Sequence, residues 1–315
     1  MAFLERPAVG LFDSGVGGLS VLRRMLDVAR PPWREIVYLA DLAHFPYGPR
    51  QAVEVRRLAL AGVELLGSRG LAAVAVACNT AASSGVRAGS AGLAVPVCDI
   101  IGPGAREVAA FAAPDPTSRV IILGTEGTIR SRVWERAIRR AGYPGPIIGW
   151  PCPVLANLIE EGPSEAATRR AILEATRGLK GVQAGLGRVR AGLGGVRSFP
   201  GAAPVDIVVL GCTHYAFAAR TFEDVLAGEV LEHPVRIVDP AGALADQLAE
   251  EVGKCESGLE GMGGPSAERR VEVSFLTTGR AEHFGTRARQ LLADKLAGGA
   301  SDLRLDRVSE VALPS

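Results

Sequence analysis

Two thiols end short apolar runs at matching places in the chain, Ala73-Val-Ala-Val-Ala-Cys78-Asn79-Thr80 and Ile207-Val-Val-Leu-Gly-Cys212-Thr213-His214. A free cysteine, with a pKa of about 8.5, is only a few per cent thiolate near neutrality, so it acts as a base only where its surroundings favour the anion. Each of these two precedes a predicted helix, whose first amides favour negative charge, and each is followed at once by donors: Asn79 and Thr80, or Thr213 and His214. A lone cysteine in such a place is ordinarily a small buried hydrophobe. Its occurrence twice points instead to a paired acid and base. Cys98, Cys152 and Cys255 lack that context.

A second stretch, Gly10-Leu-Phe-Asp13-Ser14-Gly15-Val-Gly17-Gly18-Leu-Ser20, reads as strand, turn and helix. Its glycines allow close approach of backbone to a ligand, and amides at the helix start can hold a carboxylate or phosphate. It is a poor dinucleotide loop, because Ser20 occupies the last glycine position and Asp13 would repel a pyrophosphate; a Walker sequence is absent. The run Asp41-Leu-Ala-His44-Phe45-Pro46-Tyr47-Gly48-Pro49-Arg50 follows another strand. Proline and glycine around the aromatic residue fix either a plain rigid turn or a loop covering a small pocket, with the Tyr47 hydroxyl and Gly48 amide turned inward. The only lysines, Lys180, Lys254 and Lys295, lie away from strand ends, so a pyridoxal phosphate Schiff base has no anchor. Cys212 and His214 with Cys78 or His44 have the residue types of a zinc shell, but no C-x-x-C or H-E-x-x-H supports one. Neither a cofactor nor a metal is expected.

These residues need a frame that brings strand ends together. Strand-like runs lie near 8–12, 35–39, 72–77, 95–99, 119–124, 205–211, 235–238 and 271–276, and helical periods fill the gaps, as at 51–66 and 128–141. That alternation predicts an α/β fold with mainly parallel sheets covered by helices. Strand, Asp13 turn, helix and later Cys78 is echoed by strand, Thr125 turn, helix and later Cys212, which implies two related lobes. Their expected extents are 1–98 with 216–315, and 99–215. The second half carries extra chain, identified with the Gly- and Arg-rich stretch at about 178–204; a second Gly-rich segment covers 256–268.

Composition narrows the partners. The chain has 315 residues, is 48% hydrophobic and carries a net charge of +1, with 35 Lys and Arg against 34 Asp and Glu. No chain-wide field exists to draw nucleic acid or an anionic membrane, which leaves a small-molecule substrate. Without a secretory h-region or a spanning apolar run, and with an odd number of cysteines, it reads as cytoplasmic with free thiols.

Taken in order, Phe12-Asp13-Ser14-Gly15-Val16-Gly17-Gly18-Leu19, Pro46-Tyr47-Gly48, Ala77-Cys78-Asn79-Thr80-Ala81, Gly124-Thr125, Cys152-Pro153 with Glu160-Glu161-Gly162, Gly211-Cys212-Thr213-His214-Tyr215 and Thr278-Gly279 resemble bacterial glutamate racemases. The resemblance runs from about residue 8 to about residue 285. It implies two pseudo-symmetric lobes with the active site between them, and cofactor-independent inversion of glutamate that supplies D-glutamate to the cell wall. It assigns proton transfer to Cys78 and Cys212, with Cys78 acting on the D-isomer and Cys212 on the L-isomer. Asp13 would assist Cys78, and Glu160, beside Glu161, would assist Cys212 together with His214. Substrate would be held by Asp13, Ser14, Tyr47, Gly48, Asn79, Thr80, Thr213 and His214. Ala216 stands where the family usually has proline, a departure that bears on the placement of His214. A homodimer is left open, as are a related racemase for aspartate or another acidic amino acid and a non-catalytic relative that binds a partner.

Overall fold

Runs of Val, Ile, Leu and Ala without polar alternation form strands buried on both faces, the pattern of parallel sheets covered by helices. The computed structural model describes residues 6–115, 118–180, 207–231, 233–256, 270–298 and 301–314. The strands are β1 (Ala8–Asp13), β2 (Glu35–Ala40), β3 (Ala73–Val76), β4 (Val97–Asp99), β5 (Val120–Gly124), β6 (Ile147–Pro151), β7 (Ile207–Gly211), β8 (Arg236–Val238), β9 (Val271–Thr277), β10 (Ser301–Leu303) and β11 (Ser309–Glu310). One sheet has the order β10-β9-β2-β1-β3-β4, with β11 also on β9; the other has the order β6-β5-β7-β8. Every pairing is parallel. The fold is therefore α/β with two parallel sheets.

The helices are α1 (Leu19–Leu26), α2 (Ala52–Gly67), α3 (Asn79–Ser83), α4 (Val86–Gly89), α5 (Ile101–Ala112), α6 (Glu126–Ser131), α7 (Val133–Arg140), α8 (Leu155–Glu161), α9 (Glu165–Thr176), α10 (Ala219–Val225), α11 (Ala241–Glu256), α12 (Ala281–Leu291) and α13 (Ala293–Gly298). The chain leaves the first sheet through α5 and returns through α11, and these crossovers meet at Gly104. A Cβ there would stand 2.6 Å from the Pro240 side chain and 2.7 Å from Trp134, so only glycine lets the crossovers pack this closely.

The path β2-β1-β3-β4 corresponds strand for strand to β6-β5-β7-β8. This corrects the expected return to the first lobe at residue 216, because β8 pairs with β7 in the second sheet as the counterpart of β4. The second sheet ends only at Val238. The predicted helix over 128–141 is two helices, broken at Arg132, which takes a left-handed backbone with φ of 55°. Three short strands carry little sequence signal: β6, an edge strand interrupted by Gly149 and closed by Pro151, and the terminal β10 and β11. From residue 181 on, the Gly- and Arg-rich stretch lies outside the described residues, as do 257–268 of the second one.

Candidate active site

In each sheet the chain adds a strand on one side of the first strand and then crosses to the other side. The crevice at such a reversal, beyond the strands' carboxyl ends, is the ligand site of open α/β sheets. In the first sheet the reversal lies between β1 and β3, which end at Asp13 and just before Cys78; in the second it lies between β5 and β7, which end just before Thr125 and Cys212. The spacing of the thiols is thus a consequence of strand order. Both open onto one cavity at the seam between the sheets.

On the first side, Cys78 caps α3 with extended backbone. Its Sγ lies 3.4 Å from Ser14 Oγ. Burial and the charge of Asp13 push the thiol up to about 12, more than the Ser14 contact lowers it, so it rests protonated. The five-residue helix that follows does not offset these costs. Asp13 is fully buried: Oδ1 accepts from the Gly15 amide at 3.0 Å and Oδ2 from the Thr213 hydroxyl at 3.1 Å. Burial raises its carboxyl to about 6 despite the opposing His214 charge and those hydrogen bonds.

On the second side, Cys212 enters a tight turn, Thr213–Ala218, that contains Ala216 and still seats His214 in the interior. His214 Nδ1 is 3.8 Å from Cys212 Sγ, and the opposite ring nitrogen is 2.5 Å from Glu160 Oε2. Burial alone would favour neutral imidazole, but hydrogen bonding to Cys212 and Glu160 and their negative charge hold His214 well above its usual range. Glu160 also accepts from the Val16 amide of the first lobe at 3.1 Å, whereas Glu161 faces solvent. The carboxylate beside His214 is therefore Glu160. Glycine is required opposite it, since a Cβ on Gly17 would stand 2.3 Å from Thr213 Oγ1 and 2.5 Å from His214 Nδ1.

The remaining predicted residues form the seam. Tyr47 lines the cavity, but its hydroxyl donates to Asp41 Oδ2 at 2.6 Å instead of pointing inward, while Thr278 and His44 approach Oδ1 of the same buried carboxylate. The Gly48 carbonyl accepts from the Gly127 amide across the lobes at 3.0 Å. Asn79 Oδ1 accepts from Trp134 Nε1 at 3.0 Å, which leaves its buried Nδ2 without a partner among the described residues and available as a donor. Thr80 Oγ1 is 2.9 Å from Thr125 Oγ1 and 3.3 Å from Thr128 Oγ1. Phe45, Thr125, Pro153 and Asn157 also line the cavity and were missed as site residues. Two left a trace in the sequence: Thr125 is the counterpart of Ser14, and Asn157 lies one helical turn before Glu160 on α8.

The free space between the thiols is about 30 Å³. That admits a water molecule or two, not an amino acid, so the lobes are drawn closed. No cluster of three His, Cys, Asp or Glu able to hold a metal occurs among the described residues. The lysines stay clear of the cavity, Lys254 and Lys295 pairing with Glu251 and Asp27. No described helix is long and apolar enough to cross a membrane.

A family model described as Asp/Glu/Hydantoin racemase matches residues 9–185. A glutamate racemase of Geobacter metallireducens is 35% identical over 243 residues, 77% of this chain and 79% of that one. Among solved structures, the glutamate racemase isoform RacE1 of Bacillus anthracis superposes with a TM-score of 0.73 at 27% identity, covering 98% of this chain and 99% of its own. The glutamate racemase of Thermus thermophilus in complex with β-chloro-D-alanine gives a TM-score of 0.67 at 26% identity and covers 98% of both chains.

Proposed function

The chain belongs to the glutamate racemase family, within the Asp/Glu/hydantoin racemases, and on that footing we propose that it interconverts L- and D-glutamate by passing protons through Cys78 and Cys212. It is an amino-acid racemase. The observation that carries the two-thiol reading is the pair of strand-end cysteines, one from each lobe, lining a single closed cavity. Substrate enters as the lobes part, and closure brings one thiol to each side of the α-carbon. The reaction needs no cofactor, and its D-glutamate product serves the peptide portion of the cell wall.

The α-proton of glutamate is a weak acid, so the barrier falls only if charge developing in the carbanion meets preorganised donors. The unpaired amide of Asn79 and the threonine hydroxyls of the seam supply them, and the substrate's ammonium stays protonated. With L-glutamate, Cys212 removes the proton, assisted by the His214–Glu160 pair, and Cys78, a thiol at rest, delivers its proton to the opposite face. With D-glutamate the roles reverse. Asp13, titrating near neutrality, then sheds the charge that opposes a Cys78 thiolate by taking up a proton.

Incubation with either isomer in deuterated water, with no cofactor added, should place deuterium at the α-carbon and bring both solutions to the same racemic mixture. Absence of exchange from both isomers would overturn the assignment, and exchange of aspartate alone would move it to a different acidic amino acid. Cys78→Ser and Cys212→Ser should each slow racemisation by about 10²–10⁴-fold. Unchanged turnover in either variant would remove the two-thiol mechanism.

A further inference from the structure

A second cavity, of about 250 Å³, lies behind Thr80 between α2, α3 and α6. Its chemistry differs from that of the thiol cavity. Arg50, Ser83 and Ser84 come from the first lobe, and Arg130 and Ser131 from the second. Ser83 is only 8% exposed, yet its Oγ has no hydrogen-bond partner among the described residues. A buried hydroxyl left unpaired is penalised, and turning it towards a ligand that accepts from it removes that penalty.

The charges around this hydroxyl are positive. Arg130 makes no ion pair or hydrogen bond among the described residues and is exposed at the rim. Arg50 spends one N–H on the His44 carbonyl and another on Glu54, which leaves further guanidinium donors. The sixteen-residue α2 begins at this cavity, and its cap, Gln51, gives no side-chain hydrogen bond to the first turn. Its first-turn amides therefore remain open to an acceptor, and the helix dipole adds positive potential. Glu54 is the one carboxylate of that turn and is already paired with Arg50.

We propose that this cavity binds an oxyanion of the phosphate class, seated between Arg50, Arg130, the Ser83 hydroxyl and the start of α2. Two planar guanidinium groups, a hydroxyl and helix amides converging from several directions suit a tetrahedral group with many acceptor oxygens better than a single planar carboxylate. Because its residues come from both lobes, a bound oxyanion ties the lobes in their closed arrangement. Thr80 joins the cavity to the chemistry, since it lines both spaces and bonds Thr125 and Thr128 across the seam.

Calorimetric titration of the full chain with inorganic phosphate and with inorganic diphosphate tests this, with acetate as the carboxylate control and chloride balancing ionic strength. Saturable binding of the phosphates at one site per chain is expected, with acetate much weaker. Arg130→Glu should abolish it, and Ser83→Ala should weaken it about tenfold. Arg130→Glu measured without phosphate should racemise glutamate as the parent does, which shows that the fold survives. Absence of saturable binding, equal affinity in Arg130→Glu, or strict competition between phosphate and glutamate would each overturn the proposal. The readout is binding heat, so its failure leaves the racemase reading standing, and failure of glutamate exchange leaves this site standing.

Discussion

Asp13 is where burial and charge oppose each other most directly. Burial, more than any other influence, raises its carboxyl from the usual carboxylate range to about 6, worth about 3 kcal/mol. The sign follows from linkage: the folded chain binds the proton more tightly than the unfolded one, so this contribution favours folding below about pH 4 and is lost as pH rises through about 6. Asp13→Asn should therefore unfold at higher denaturant than the parent above pH 6, by up to about 3 kcal/mol, with the gain gone by pH 4. The same variant should turn over glutamate about ten to a hundred times more slowly, less severely than either cysteine variant. A stability difference that does not change with pH would show that burial of this carboxylate is not the cause. At this scale the sequence was legible where residue type and strand end coincide, as at Asp13, Cys78 and Cys212. It was not legible where a hydroxyl's direction matters. The Tyr47 hydroxyl turns to Asp41 because that buried carboxylate needs donors, a demand created by β2 and β9 lying side by side.

At the scale of elements, the Glu160 carboxylate depends on how α8 ends. Arg287 of α12, beside the first sheet, donates from Nε to the Glu160 carbonyl at 2.8 Å and from Nη2 to the Ile159 carbonyl at 3.0 Å, satisfying the last carbonyls of a helix in the other lobe. Gly162 makes room for it, since its φ is 78° and a Cβ there would stand 2.4 Å from the guanidinium. In the proposed mechanism Arg287 is thus a positioning residue that acts mainly on the Cys212 side, through Glu160. An equilibrium constant of one between mirror-image substrates ties the two values of kcat/KM together, so a one-sided defect must be read from isotope effects. Arg287→Ala should slow turnover about tenfold. It should also raise the primary effect with α-deuterated L-glutamate relative to that with the D-isomer, and Arg287→Lys should restore part of both. Equal isotope effects in the two directions would reduce Arg287 to a structural role. None of this clamp was legible from sequence, because it joins residues far apart in the chain that meet only after both lobes have formed. The sheet framework was legible because β1, β3, β5 and β7 are apolar and central, whereas β6 and the helix break at Arg132 are set by an edge position and by one backbone angle.

At the scale of the molecule, the lobes meet through small contacts that leave no slack. The Gly127 amide donates to the Gly48 carbonyl, the Thr213 hydroxyl donates to Asp13, the Val16 amide donates to Glu160, and the Phe45 ring lies 5.5 Å from that of His214. In the proposed mechanism this seam opens for substrate and closes again to a defined geometry, because misplacing reacting groups by about 1 Å can cost about a hundredfold. Gly127 is the place to test that requirement away from the thiols. A Cβ there would stand 2.9 Å from the Gly48 carbonyl oxygen and 3.1 Å from Thr80 Cγ2, both in the opposite lobe. Gly127 also lies within α6, where alanine is intrinsically the better helix former by about 0.8–1 kcal/mol. Gly127→Ala should therefore leave the unfolding free energy within about 1 kcal/mol of the parent, the gain in helix propensity being offset by the cost of the Gly48 contact, while lowering kcat/KM about ten- to a hundredfold. Because the seam serves both thiols, the ratio of isotope effects for the two isomers should stay that of the parent, unlike that of Arg287→Ala. Full activity in Gly127→Ala would show that closure tolerates a wedge at this contact, and a shifted isotope ratio would show that the seam serves one thiol more than the other.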